Sequence, residues 1–309
     1  MTDIVTVLAI TGAAGLATGI GALPVFVRAR VSHRTYDAAL GLAAGIMVAA
    51  SVFGLILPGM EDGGLATVMI GLVIGGFALL AGNRAIPHVH AAYREWTAEG
   101  GATEADVTAV SERAMPFDPD GPTDPVESDT PRGSTDPIAS PESATDPASP
   151  SSSEQDGVDA RIRKALLVGG AITLHNAPEG LAMGVAFASG LEEVAVLLAI
   201  VIGLQNVPDG FAFAVPMGET GMNRGRVLLY TTLSGFVPQI VAATFGYYLV
   251  SFAAGLFPVA AGFAAGAMLA VVFREMIPSS HGHGYADAAT TAFLLGFVVL
   301  VVVDEVLVL

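Results

Sequence analysis

Two runs of six residues, thirty positions apart, carry the chemistry of this chain: His175-Asn176-Ala177-Pro178-Glu179-Gly180 and Gln205-Asn206-Val207-Pro208-Asp209-Gly210. Both read polar residue, Asn, apolar residue, Pro, acid, Gly. In helical spacing His175 and Glu179 stand i,i+4 and Asn176 and Glu179 stand i,i+3, so the three project to neighbouring faces. Gln205, Asn206 and Asp209 repeat that arrangement. Each proline lacks an amide hydrogen and frees the carbonyl four residues back, at Leu174 and Leu204. One imidazole, two carboxylates, several amide oxygens and no thiolate form a ligand set suited to Zn²⁺, Mn²⁺, Fe²⁺ or Co²⁺.

The setting of these runs is apolar. The 309 residues are 53% hydrophobic and 14% charged, against about 25% charged in an average soluble domain. Mean hydropathy is +0.64. This composition excludes a soluble enzyme and predicts an all-α integral membrane protein. There is no cysteine, which removes disulfides and thiol catalysis. Hydropathy divides the chain into eight stretches of bilayer length: Ile4–Val27, Ala38–Met60, Leu65–Ile86, Ala165–Gly190, Val194–Met217, Val227–Phe252, Pro258–Pro278 and Ala288–Leu309. Glu179 and Asp209 lie well inside two of them. A charge there costs at least about 2.5–3.5 kcal/mol on insertion scales. No Lys or Arg stands at the same depth, so a bound cation is the expected counter-charge.

Basic residues predict the orientation. Arg28, Arg30 and Arg34 follow the first span, Arg161, Arg163 and Lys164 precede the fourth, and Arg224 and Arg226 join the fifth to the sixth. The alternate loops carry Glu61 and Asp62, or Glu192 and Glu193, and no base. Lys and Arg collect in short cytoplasmic loops, which puts both termini outside, in a multi-pass protein of the cell membrane. The expected organisation is therefore spans 1–3 over residues 1–86, a cytoplasmic loop over 87–160, and spans 4–8 over 161–309. That loop holds sixteen acids against three bases, and from about Pro116 to Gly157 it has almost no apolar residue. Such a segment is predicted to be disordered, after a short amphipathic helix over 91–113.

A second repeat sits in spans 2 and 7, Gly41-Leu-Ala-Ala-Gly45-Ile-Met47-Val-Ala49 and Gly262-Phe-Ala-Ala-Gly266-Ala-Met268-Leu-Ala270, each followed by a proline, Pro58 or Pro278. The predicted topology sends the two in opposite directions. The fold expected is an inverted repeat of spans 1–3 and 6–8 around the symmetric pair 4–5, an architecture of transporters. Other polar residues fall where a path would need them. Glu61, Asp62, Asp304 and Glu305 stand at the outer ends of spans. Glu275, His281, His283, His88 and His90 stand toward the cytoplasm, where they could accept a released ion.

The paired motif resembles the ZIP family of divalent metal transporters, prokaryotic type, as do the span count, the outward termini and the long loop after span 3. The resemblance covers the chain outside that loop and implies inward transport of a divalent ion, zinc above all, with Fe, Mn, Co and Cd as further substrates. It implies a transport site of His175, Asn176, Glu179, Gln205, Asn206 and Asp209, with Met47 as a further ligand. Leu57-Pro58-Gly59 and Arg274-Glu275-Met276-Ile277-Pro278-Ser279-Ser280-His281 also look like family landmarks. The chain departs from the family in carrying Asp209 where Glu is usual, and Ser234-Gly-Phe-Val-Pro238-Gln239 where some members place a span-6 Glu that completes a two-metal centre. The expected partners are the metal ion and the lipid bilayer, with a homodimer as an option and no nucleic acid or organic cofactor. Two rival readings are a proton-coupled carrier of a small organic substrate and an intramembrane metallohydrolase. The second needs a pattern such as His-Glu-x-x-His, which the chain lacks.

Overall fold

The computed structural model describes residues 2–27, 32–97, 175–219 and 222–308, and for 85–97 the backbone alone. Its main body comprises residues 1–89 and 158–309, and the segment 90–157 forms a separate unit. The expected amphipathic helix and disordered stretch of the acidic loop, and the first part of the expected fourth span, lie outside the described residues beyond Thr97.

Every described element is helical. Helix α1 (Ile4–Gly21) starts at Asp3, whose carboxylate accepts from the Thr6 backbone N–H at 3.0 Å. That bond, with a second from the Thr6 hydroxyl, holds the exposed Asp3 carboxyl below its ordinary range. A short α2 (Pro24–Val27) follows. Helix α3 (His33–Ser51) is capped by Ser32 and runs through a π-turn, Val52–Ile56, into α4 (Leu57–Thr97). Then come α5 (175–189), α6 (Glu192–Glu219) and α7 (Arg224–Phe252). Helix α8 (Phe257–Val271) passes through a second π-turn, Val272–Met276, into α9 (Ile277–His281), and α10 (Ala286–Val308) ends the chain.

Among the described residues six helical runs are long and apolar enough to cross a membrane. One of them, His33–Arg84, is 52 residues long. At about 1.5 Å per residue that is more than twice the roughly 30 Å of a hydrocarbon core. Gly64 interrupts it with φ 79° and ψ 162°, a conformation open to glycine and costly for other residues. The outer surface suits lipid: Phe77, Val241, Phe245, Leu294 and Val298 are all exposed.

The repeat of spans 2 and 7 has matching packing roles. A Cβ at Gly41 or Gly45 would collide with the carbonyl oxygens of Ala289 and Phe293 on α10. A Cβ at Gly262 or Gly266 would collide with those of Val68 and Leu72 on α4. Each glycine pair thus lets its helix touch a neighbour's backbone, as small residues do in lipid. In both copies the π-turn ends two residues before the proline, Pro58 or Pro278. Gly45→Ala should therefore lower stability by about 1–3 kcal/mol, the usual cost of overpacking. Gly255→Ala, whose Cβ meets nothing within 4 Å, should leave it unchanged. Thermal unfolding in detergent checks both.

Candidate metal centre

Helix α5 carries His175, Asn176 and Glu179, and α6 carries Gln205, Asn206 and Asp209. All six are at most 5% exposed. Close packing assembles them. Gly180 and Gly184 seat α5 directly on the α7 backbone at Gln239 and Ala243, and Gly210 seats α6 on Thr18 of α1. The first contact brings in Gln239, which the resemblance sets in the stretch where some members carry a span-6 Glu, and which was not among the expected ligands. Gln239 is fully buried and donates its Nε2 to Glu179 Oε2 at 2.6 Å and to Asn176 Oδ1 at 3.1 Å. Gln205 Nε2 donates to the other carboxylate oxygen, Oε1, at 2.6 Å. Both oxygens of Glu179 are thus held by neutral amides, and no Lys or Arg among the described residues pairs with Glu179 or Asp209.

The two asparagines tie the motif to neighbouring backbone. Asn206 Nδ2 donates to the Ala14 carbonyl on α1 at 2.7 Å. Asn176 Nδ2 reaches the Ser234 carbonyl on α7 at 3.4 Å. Ser234 is the residue four before Pro238, so its carbonyl has no helical N–H to meet. That mid-span proline followed by glutamine was the available sequence signal for Gln239.

His175 lies between two carboxylates, with Nε2 at 3.7 Å from Asp209 Oδ2 and Nδ1 at 3.6 Å from Glu275 Oε2. Glu275 belongs to the second π-turn, and its other oxygen accepts from Asn83 Nδ2 on α4. It therefore borders the central site. π-turns are frequent at functional sites because they re-aim one side chain.

Several buried polar atoms here have no hydrogen-bond partner: both ring nitrogens of His175, Gln205 Oε1, Asn206 Oδ1, Asp209 Oδ2 and Gln239 Oε1. Buried acceptors without donors are uncommon, and each costs about 1–3 kcal/mol. A cation could take up the carboxylate and amide oxygens and one of the two nitrogens of His175. Among the described residues no three His, Asp or Glu side chains close on one point, so the amide oxygens are needed to complete a coordination shell.

The remaining expected residues are dispersed. Met47 is fully buried in the apolar core of α3, which packs against α6. Glu61 and Asp62 are exposed just before the Gly64 break, and Asp304 and Glu305 lie near the end of α10. The residues expected to gather toward the cytoplasm do not share one place. His281 Nδ1 turns back to the Ile277 carbonyl at 2.9 Å, while His283 Nδ1 meets Asp37 at 2.8 Å. The side chains of His88 and His90 lie outside the described residues.

The profile of the ZIP zinc transporter family matches residues 3–304. The chain is 31% identical to the zinc transporter GufA of Myxococcus xanthus, covering 94% of each protein. It is 34% identical to the zinc transporter ZIP11 of Homo sapiens, covering 93% of each. It is 32% identical to the zinc transporter ZIPB of Bordetella bronchiseptica, over 96% of this chain and 80% of the relative.

Proposed function

Because this chain belongs to the ZIP zinc transporter family, we propose that it carries a divalent metal ion into the cytoplasm through the site of His175, Asn176, Glu179, Gln205, Asn206 and Asp209. It is a multi-pass membrane transporter of divalent metal and not an enzyme. The observation that carries the site is the set of unpartnered acceptors around Glu179, four buried oxygens and an imidazole in one apolar surround. Zinc is the expected substrate, and the set also accommodates Mn²⁺, Fe²⁺ and Co²⁺.

In this reading the chain crosses the membrane eight times, and Gly64 is the turn between the second and third crossings. Spans 1–3 and 6–8 are the inverted halves, supported by the paired glycine contacts and paired π-turns. Both termini face outward. Asp304, Glu305, Glu61 and Asp62 draw ions to the outer mouth.

Loading follows from the amides. An ion arriving at Glu179 repels the N–H groups that Gln205 and Gln239 present to it. Rotation of either amide by half a turn replaces a donor with an oxygen ligand, so the site exchanges hydrogen bonds for metal bonds without a charged side chain entering. His175, between Asp209 and Glu275, can pass the ion from the first to the second. Met47 adds a soft ligand if α3 moves toward α6.

The test is uptake by proteoliposomes of the purified protein against a metal panel. Zinc accumulation that saturates and is competed by Mn²⁺ or Co²⁺ is expected. Uptake of no divalent metal, by protein whose melting temperature no metal raises, would overturn the reading.

A further inference from the structure

Glu275, in the second π-turn, reaches the central site from outside the paired motif. Its side chain is 20% exposed, and no Lys or Arg among the described residues pairs with it. Its Oε2 stands 3.6 Å from His175 Nδ1, while its Oε1 accepts from the side-chain amide of Asn83 on α4. Asn83 is half-buried, comes from 192 positions away and was not among the expected site residues. The pair holds whichever form the acid takes. The amide nitrogen donates to a carboxylate, and the amide oxygen accepts from a carboxylic acid.

Backbone packing gives Asn83 a firm base. A Cβ at Gly71 or Gly75 of α4 would collide with the carbonyl oxygens of Val259 and Phe263 on α8, as one at Gly262 or Gly266 of α8 would with those of Val68 and Leu72. Helices α4 and α8 thus meet backbone to backbone from both sides. Asn83 lies beyond Gly75 on the first, and Glu275 beyond Gly266 on the continuation of the second. His175 belongs to another such pair, in which α5 rests on α7 through Gly180 and Gly184. His175 and Glu275 therefore approach as side chains of two separately packed helix pairs. An unsupported Glu side chain has many rotamers to explore. The Asn83 amide fixes one carboxyl oxygen and leaves the other toward His175.

We propose that Asn83 is a positioning residue for metal transfer: it holds the Glu275 carboxyl so that Oε2 faces His175 and receives the ion leaving the central site. This rests on the reading of that site as a transport site. Asn83 itself touches no ion. His175, Glu179 and Asp209 set how tightly the ion is held, while Asn83 and Glu275 set how fast it departs. Ligand exchange needs the incoming oxygen in reach before the outgoing bonds break, so a misplaced carboxyl slows transfer steeply. Loss of the Asn83 amide therefore acts on the maximal rate and leaves the half-saturating concentration in place.

Initial rates of zinc uptake by proteoliposomes, taken over a range of zinc concentrations, test this on the full chain. The proteins compared are the unmodified one, Asn83→Leu, Glu275→Gln and the two changes together. Asn83→Leu keeps a branched side chain and removes its hydrogen bonding. It should lower the maximal rate about tenfold and move the half-saturating concentration by less than about twofold. In the Glu275→Gln background it should cost much less, because its effect runs through that carboxyl. A merely structural role would lower the rate by the same factor in both backgrounds. Asn83→Ala, a good helix former at a half-buried position, carries the same comparison if the leucine variant does not fold. An unchanged maximal rate in the variant that folds, or an equal loss in both backgrounds, would overturn the proposal and leave the transport site standing. Absence of zinc uptake by the unmodified protein would overturn the transport reading and this one with it.

Discussion

Replacing His175 and Glu179 together with alanine should reduce zinc uptake in proteoliposomes to that of empty vesicles. His175 is the single imidazole at the centre, and Glu179 supplies one of two buried carboxylates with a vacant or exchangeable oxygen. Without them the remaining ligands are Asp209 and amides, too weak to replace the hydration shell of a divalent ion. The protein should still insert and run as a single species, because a buried charge is a burden on the empty fold. It should melt at a lower temperature. Gln205 and Gln239 lose the acceptors they now hold at 2.6 Å, and a buried orphaned donor costs about 1–3 kcal/mol. Wild-type uptake by the double variant would refute the site.

The central site should hold one divalent ion. Glu179 and Asp209 supply two negative charges, which balance a single M²⁺. Unit charges about 4 Å apart repel by roughly 4 kcal/mol at an effective dielectric of 20, and for two divalent ions the figure is about fourfold larger. Gln239 stands on α7 against Glu179 and Asn176, where a carboxylate would offset that repulsion, and it supplies a dipole instead. Gln239→Glu or Asn206→Asp should therefore admit a second ion. Gln239→Glu does more than add charge: it removes a donor from Glu179 and sets two carboxylates side by side, so the empty site of this variant should be destabilised and gain the most from metal. Anomalous diffraction on metal-loaded crystals counts the ions. Two fully occupied metals about 4 Å apart in the unmodified protein would end the argument.

The glycine repeat shows how legibility divides between sequence and structure. Gly41-x-x-x-Gly45 and Gly262-x-x-x-Gly266 were visible as a pair, and composition alone said that their helices lie in lipid. Which backbones they touch, α10 for the first and α4 for the second, depends on the fold. Helix boundaries were similarly mixed. Gly64 falls in the gap expected between Met60 and Leu65, yet Asp37 was placed just outside a span and turned out fully buried. Hydropathy averages over a window and so misses a single acid that a neighbouring loop covers.

What the sequence by itself determined is the chemistry and its environment. The duplicated motif, the absent thiolates and the apolar composition each follow from residue type and spacing along one helix, where i,i+3 and i,i+4 neighbours are fixed by the 3.6-residue period. The tertiary structure decided the company those residues keep. It brought Gln239 to Glu179 from 60 positions away, Glu275 to His175 across 100, and His283 to Asp37 across 246. Contacts at such separations are set by which helix faces pack together. In lipid that choice is made by close backbone approach at small residues such as Gly180 and Gly184, a three-dimensional fit that no local pattern encodes.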